Sequence, residues 1–133
     1  MEALRTLIVD DSSVMRKIVE RALRQAGIPL GEVIEAGNGS QALDVLRQET
    51  VDLVLTDINM PVMDGLELVR QLQKVDKARD VPVLMITTEG SESQVMEAIA
   101  CGARGFVRKP FTPEQMKRQV LPLLGQPAQA PSL

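Results

Sequence analysis

The chain has 133 residues, 44% hydrophobic, 25% charged and 2% aromatic, with a formal net charge of −3 and no histidine. That length suits one domain, and that apolar share supports a core, which argues against disorder except at the ends. Without histidine there is no imidazole acid–base chemistry and little prospect of a zinc site; the lone Cys101 rules out an internal disulfide or a cysteine metal cluster, and the intermixed charges make nucleic acid an unexpected partner.

No stretch holds the ~18 consecutive apolar residues of a membrane span, and the first residues lack a signal-peptide core, so the cytoplasm is the expected location. Leu7-Ile8-Val9 reads as a first short strand that runs into Asp10-Asp11. Ser12 or Ser13 can cap the helix after it. In that helix Met15, Ile18, Val19, Ala22, Leu23 and Ala26 recur at helical spacing as one apolar stripe, and Gly27 stands where a left-handed cap is common. Val33 to Ala36 reads as a second, weaker strand, Asn38-Gly39 as a turn, and Ser40 to Gln48 as a short helix carrying Ala42, Leu43 and Leu46.

The stretch that organises the chain comes next. Leu53-Val54-Leu55-Thr56 has the apolar, partly β-branched character of a buried parallel strand and delivers Asp57 to the rim of the sheet. Asp57 as a plain helix cap is the alternative, but Asp64, directly before Gly65, fits that role better. The helix after Gly65 is expected to bury Leu68, Val69, Leu72 and Val75, and Lys74 to Asp80 reads as a solvated loop. Val81 to Thr87 reads as the fourth strand, with Pro82 tolerable at its start. Ser91 and Gln94 suggest a capping box for a fourth helix with Val95, Ala98 and Ile99 inward, Cys101 as a small buried residue, and Gly102 at the end. Gly105 to Arg108 is the fifth strand, closed by Lys109-Pro110. Thr112 caps the last helix, with Pro113 first in it and Gln115 three residues after the cap. Met116, Val120, Leu123 and Leu124 are its apolar positions, and Pro122 is expected to kink or loosen it near Arg118. The expected domain is 1–125, with 126–133 as a disordered tail.

Five strands alternating with five helices point to an α/β fold, a five-stranded parallel sheet with helices on both faces, and right-handed crossovers leave a few topologies, of which the expected one is the doubly wound order 2-1-3-4-5 of flavodoxin-like proteins. That order puts the switch point between strands one and three, whose carboxyl ends carry Asp10, Asp11 and Asp57. Three carboxylates persist together only beside positive charge or with a raised pKa, and an oxygen-rich, histidine-free pocket suits Mg²⁺. Thr87 and Lys109 end strands four and five at the same rim. Any one of these residues alone would pass as an ordinary strand-end polar group; the set at four strand ends does not.

On Asp10-Asp11, the run Thr56-Asp57-Ile58-Asn59-Met60-Pro61-Val62-Met63-Asp64-Gly65, Thr87, and Phe106 with Lys109-Pro110, the sequence resembles the receiver domain of two-component response regulators, over about residues 4 to 124. The resemblance implies that Asp57 is the phosphoacceptor, served by a sensor histidine kinase or a small donor such as acetyl phosphate. It implies that Asp11, Asp57 and the backbone carbonyl of Asn59 bind Mg²⁺, with Asp10 contributing through a metal-bound water. Lys109 would pair with the phosphoryl group, Thr87 would move to bond it, Phe106 would rotate inward, and the Lys109-Pro110 bond would be cis. The readout would be the face of helix four, strand five and helix five, with Glu92, Arg104, Phe106, Arg108 and Gln115 as exposed candidates for contact with a protein target. Asn59 and Glu89 would tune the lifetime of the phosphoryl group toward a fast reset. Such a chain is an enzyme only in its self-phosphorylation and autodephosphorylation.

With no output domain expected after residue 125, a stand-alone receiver must act through a bound partner or pass its phosphoryl group on. Chemotaxis regulators are the nearest architecture. Phe106 lacks the hydroxyl many of them carry, Pro122 stands in the last helix and Glu92 on the fourth. Motor-switch binding, a phosphorelay intermediate, a kinase or phosphatase adaptor, and a phosphorylation-independent scaffold therefore stay open. A flavodoxin-type binding protein fits less well, because Asp10-Asp11 would repel its phosphate. An aspartate-based phosphatase would want an acid where Asn59 stands.

Overall fold

The computed structural model describes residues 3–88 and 92–124. Its elements in chain order are β1 (Leu4–Val9), α1 (Ser13–Gln25), β2 (Leu30–Ala36), α2 (Gly39–Gln48), β3 (Leu53–Asp57), α3 (Gly65–Leu72), β4 (Val83–Thr87), α4 (Glu92–Ala100), β5 (Gly105–Arg108) and α5 (Pro113–Val120). A 3₁₀ turn at Leu121–Leu123 comes after α5. All five strands pair in parallel in the order β2-β1-β3-β4-β5. The expected doubly wound α/β sheet is the one observed.

Successive side chains of a strand point to opposite faces, and these apolar runs fill both. Leu7, Val9, Val54, Val83 and Met85 face one buried cluster, together with residues of α2, α3 and α4. Ile8, Leu53, Leu55, Leu84 and Ile86 face the other, with α1 and α5. Each such side chain taken from water stabilises the fold by about 1.5–3 kcal/mol. With two Phe and no Tyr or Trp, the fully buried residues of both layers are aliphatic or methionine, and Phe111 packs against the α1–α5 layer from its margin.

Among the described residues, side-chain caps start four helices. Ser12 accepts from the Met15 amide, Asn38 from Gln41, Asp64 from Glu67 and Thr112 from Gln115, each worth about 1 kcal/mol. The Thr112–Gln115 capping box is complete, and Gly27 and Gly102 take positive φ just past α1 and α4.

Several expectations need correction. Ile18 is 43% exposed and Ile99 39% exposed, so the buried stripes are Val19, Ala22 and Leu23 on α1, and Val95 and Ala98 on α4. Helical spacing admits a residue at the margin of a stripe, and only the neighbouring elements decide whether it is covered. β1 and β2 begin earlier than expected, at Leu4 and Leu30, whereas β4 begins only at Val83. The 74–80 loop is not wholly solvated, because Ala78 is buried against the core. Cys101 is only partly buried. Pro122 does not kink α5 near Arg118. The helix ends at Val120 and tightens into the 3₁₀ turn, where Pro122 takes an early position whose N–H no helical bond would use. Leu123 ends that turn and Leu124 caps it, and both are only partly buried against the core. Ser91, Glu89 and the 126–133 tail lie outside the described residues.

Candidate functional site

β1 and β3 are neighbours whose connections leave on opposite faces of the sheet, so a crevice opens at their carboxyl ends. Asp10 comes directly after β1 and is 1% exposed; Asp57 ends β3 and is 6% exposed; Asp11 lies open beside them. One carboxylate oxygen from each falls within 4.8 Å of the others. Lys109, just past β5, places its Nζ 3.1 Å from Asp10 Oδ2 and 3.6 Å from Asp57 Oδ1. Thr87, at the end of β4, is 3% exposed, and its carbonyl accepts from the Lys109 amide at 2.7 Å. The Lys109-Pro110 bond is cis.

Asp57 and Asp10 are each held by their own local structure. Asp57 Oδ1 accepts from the Ile58 amide at 2.9 Å, and Thr56 Oγ1 donates to the Asp57 carbonyl at 2.9 Å. Asp10 Oδ1 accepts from the Ser12 amide at 2.9 Å, and the Asp10 amide donates to the Ala36 carbonyl at 3.1 Å. The loop after Asp57 is closed by the Gly65 amide, which donates to the Ile58 carbonyl at 2.8 Å. A Cβ at Gly65 would run into the Asp57 carbonyl. Within this loop Val62 has φ 71° and is 83% exposed, and the Met63 amide reaches back to the Pro61 carbonyl at 2.8 Å. A β-branched residue in that region is strained.

Burial holds the Asp57 carboxyl above its ordinary range, opposed by Lys109 and the Ile58 amide and reinforced by Asp10 and Asp11. Three carboxylates thus converge in one crevice, with the Lys109 ammonium against two of them. A hard divalent cation that takes carboxylate oxygens and keeps several waters fits this donor set. The structure thus brings together Asp10, Asp11, Asp57, Thr87 and Lys109. Asn59 lies exposed two residues past Asp57. Glu89 falls outside the described residues.

Phe106 and Arg108 alternate outward on β5. Phe106, 42% exposed, borders a cavity of about 140 Å³ with Thr87, Val95 and Met96. Met96 and Ile99 add exposed apolar surface on α4, and Arg108 pairs with Glu92 at 3.0 Å. Glu92 and Gln115 are exposed as expected; Arg104 is only half-exposed, because its guanidinium donates to the Asp80 carbonyl at 3.0 Å. Sequence reasoning missed two residues beside the acids, Arg16 and Glu35. Arg16 reaches the Asp10 carbonyl and pairs with Glu35 from β2. No local pattern announces a contact between residues 19 apart.

Comparison with known proteins identifies relatives of the whole fold. The family model described as the response regulator receiver domain matches residues 6–121. A chemotaxis protein CheY homolog of Campylobacter jejuni is 41% identical over 123 residues, 92% of this chain and 93% of its own length. CheY1 of Helicobacter pylori is 37% identical over 92% of this chain and 98% of its own. The solved chemotaxis response regulator CheY4 of Vibrio cholerae has a TM-score of 0.79 at 36% identity, covering 92% of this chain and 99% of that one. A receiver domain of a sensor histidine kinase from Pseudomonas aeruginosa, with a magnesium ion coordinated in its active site cleft, has a TM-score of 0.75 at 25% identity, covering 87% and 93%.

Proposed function

The chain belongs to the response regulator receiver family, and from that premise we propose that Asp57 accepts a phosphoryl group from a phosphohistidine of a sensor histidine kinase, or from a small donor such as acetyl phosphate. The observation that carries this is the convergence of three carboxylates and one ammonium at the strand ends, with Asp57 buried at the end of β3. A carboxylate oxygen of Asp57 attacks phosphorus. The P–N bond of the donor breaks and its electron pair stays on the imidazole nitrogen, leaving an acyl phosphate on Asp57. Asp11, Asp57 and the Asn59 backbone carbonyl would hold Mg²⁺, with Asp10 acting through a water. When bound, that ion neutralises phosphoryl oxygens as charge shifts. Lys109 starts within reach of Asp57 and turns to the new phosphoryl oxygens as a point charge.

Phosphorylation adds roughly −1.5 to −2 charges and three acceptor oxygens. Thr87 moves to bond one of them, and Phe106 turns toward the cavity beside Thr87. Support for that movement is the cavity itself, bordered by both residues and open beside an exposed ring. The change alters the α4–β5–α5 face, where Glu92, Met96, Ile99, Phe106, Arg108 and Gln115 stand ready for a protein target in the cytoplasm. Asn59, with Glu89, orients the water that resets the switch; Asn59→Met should slow the decay of the phosphoprotein, and an unchanged decay rate sinks that role. The whole acts as one receiver unit over residues 1–125.

Intact-mass spectrometry after incubation with acetyl phosphate and Mg²⁺ tests the reading. One added phosphoryl group, dependent on Mg²⁺ and missing from Asp57→Asn, is expected. Addition that persists in Asp57→Asn would overturn the assignment. No addition from either acetyl phosphate or a phosphorylated kinase would favour a phosphorylation-independent scaffold.

A further inference from the structure

Asp10 is nine-tenths or more buried, and every one of its polar groups is engaged. Its amide donates to Ala36, its two carboxylate oxygens accept from the Ser12 amide and Lys109, and its carbonyl accepts from Arg16 Nη1. The carbonyl matters most for the site. It belongs to the peptide plane that joins Asp10 to Asp11, so whatever fixes that oxygen also fixes the backbone from which the open Asp11 carboxylate projects. Arg16 is itself held. Its Nε donates to Glu35 Oε1 at 2.6 Å, the other oxygen of Glu35 accepts from Lys17 Nζ at 2.7 Å, and the Arg16 side chain is only 16% exposed. The planar guanidinium serves a carboxylate and a carbonyl at once through donors in a fixed fork, a geometry that an ammonium on a flexible stem does not impose.

We infer that Arg16, oriented by Glu35, is a positioning residue that locks the Asp10–Asp11 peptide plane and thereby sets the affinity of the acidic crevice for a divalent cation. The inference rests on the reading of that crevice as a cation site. Partners that orient metal ligands from behind commonly govern affinity by about 10- to 100-fold. Here the sign separates positioning from charge. Arg16 carries a positive charge near a cation site, so if it acted through its charge alone, removing it would tighten binding. Positioning requires the reverse.

The test is a titration of the metal-free protein with Mn²⁺, monitored by loss of the free-ion electron paramagnetic resonance signal, beside a thermal unfolding curve without metal. The variants are Arg16→Ala, Arg16→Lys, which keeps the charge but not the fork, and Lys17→Ala, which removes a partner of Glu35 but leaves the Arg16 bonds. The expected result is Mn²⁺ affinity weakened about tenfold or more in both Arg16 variants and within twofold of wild type in Lys17→Ala. Should Arg16→Ala fail to fold, Arg16→Lys decides. Affinity unchanged or tightened in the folded Arg16 variants overturns the inference, as does an equal weakening in Lys17→Ala; a lowered melting temperature with unchanged affinity makes Arg16 merely structural. In those cases the wild type still binds Mn²⁺ and the cation site survives. A wild type that binds no Mn²⁺ removes both.

Discussion

Asp57 sits where its charge is unwelcome. Burial, and then the neighbouring Asp10 and Asp11, favour its protonated form, so the folded protein holds that proton more tightly than the unfolded chain does. Stability then falls as pH rises from the ordinary carboxyl value through the raised folded one. Above the folded value the penalty is complete, and below the unfolded value of about 4 it is absent. In metal-free protein Asp57→Asn should therefore be more stable than wild type at pH 7, and the gap should close as pH is lowered toward 4. Urea unfolding across that range checks this, and a gap independent of pH would assign the effect to packing instead. Val62 poses a different residue-scale problem. A β-branched side chain at φ 71° that is 83% exposed gains little from burial to compensate its strain. Val62→Asn, which tolerates that region, should raise stability by about 1 kcal/mol, read as a shift of the urea midpoint at constant slope. The run around Asp57 is legible as a site from its spelling, but the backbone angle at Val62 is not, since nothing in Pro-Val-Met demands a positive φ.

At the scale of elements, stripes and caps announce the helices, and those signals are local enough to be trusted. Asp64 and Thr112 cap where the sequence says they should, and of Ser12 and Ser13, either of which it allows, Ser12 is the cap. Ile18 and Ile99 show where stripe reading stops, because coverage depends on an element that the helix itself does not encode. The connection from β3 to α3 depends on a backbone approach: the Gly65 amide bonds Ile58, and a Cβ there meets the Asp57 carbonyl. Gly65→Ala should cost about 1–3 kcal/mol and displace Asp57. Chemical denaturation together with the rate of acetyl phosphate labelling measures both, and an alanine variant that keeps wild-type stability and rate would contradict the contact. Pro122 terminates α5 rather than bending it. Pro122→Ala should therefore lengthen the helix past Val120, seen as added helical circular dichroism, whereas a kinked helix would instead straighten with little gain in length.

On the scale of the whole molecule, cation binding and stability are one equilibrium. An ion that binds the folded crevice and not the unfolded chain adds about 2.7 kcal/mol at a hundredfold excess over its Kd. Mg²⁺ should raise the melting temperature of wild type and raise that of Asp11→Asn much less; equal shifts would place the ion elsewhere. The sequence by itself determined five strands and five helices, the parallel sheet and the strand ends at which Asp10, Asp11, Asp57, Thr87 and Lys109 stand, because short apolar runs, helical stripes, caps and right-handed crossovers are properties of short stretches and of chirality. Only the tertiary structure decided the rest. That Arg16 and Glu35 meet behind Asp10, that Phe106 stands outward beside a cavity, and that Ile18 is bare all depend on which surfaces of separate elements come to lie together. Such placements arise from the packing of the whole fold, and no local run of residues carries them.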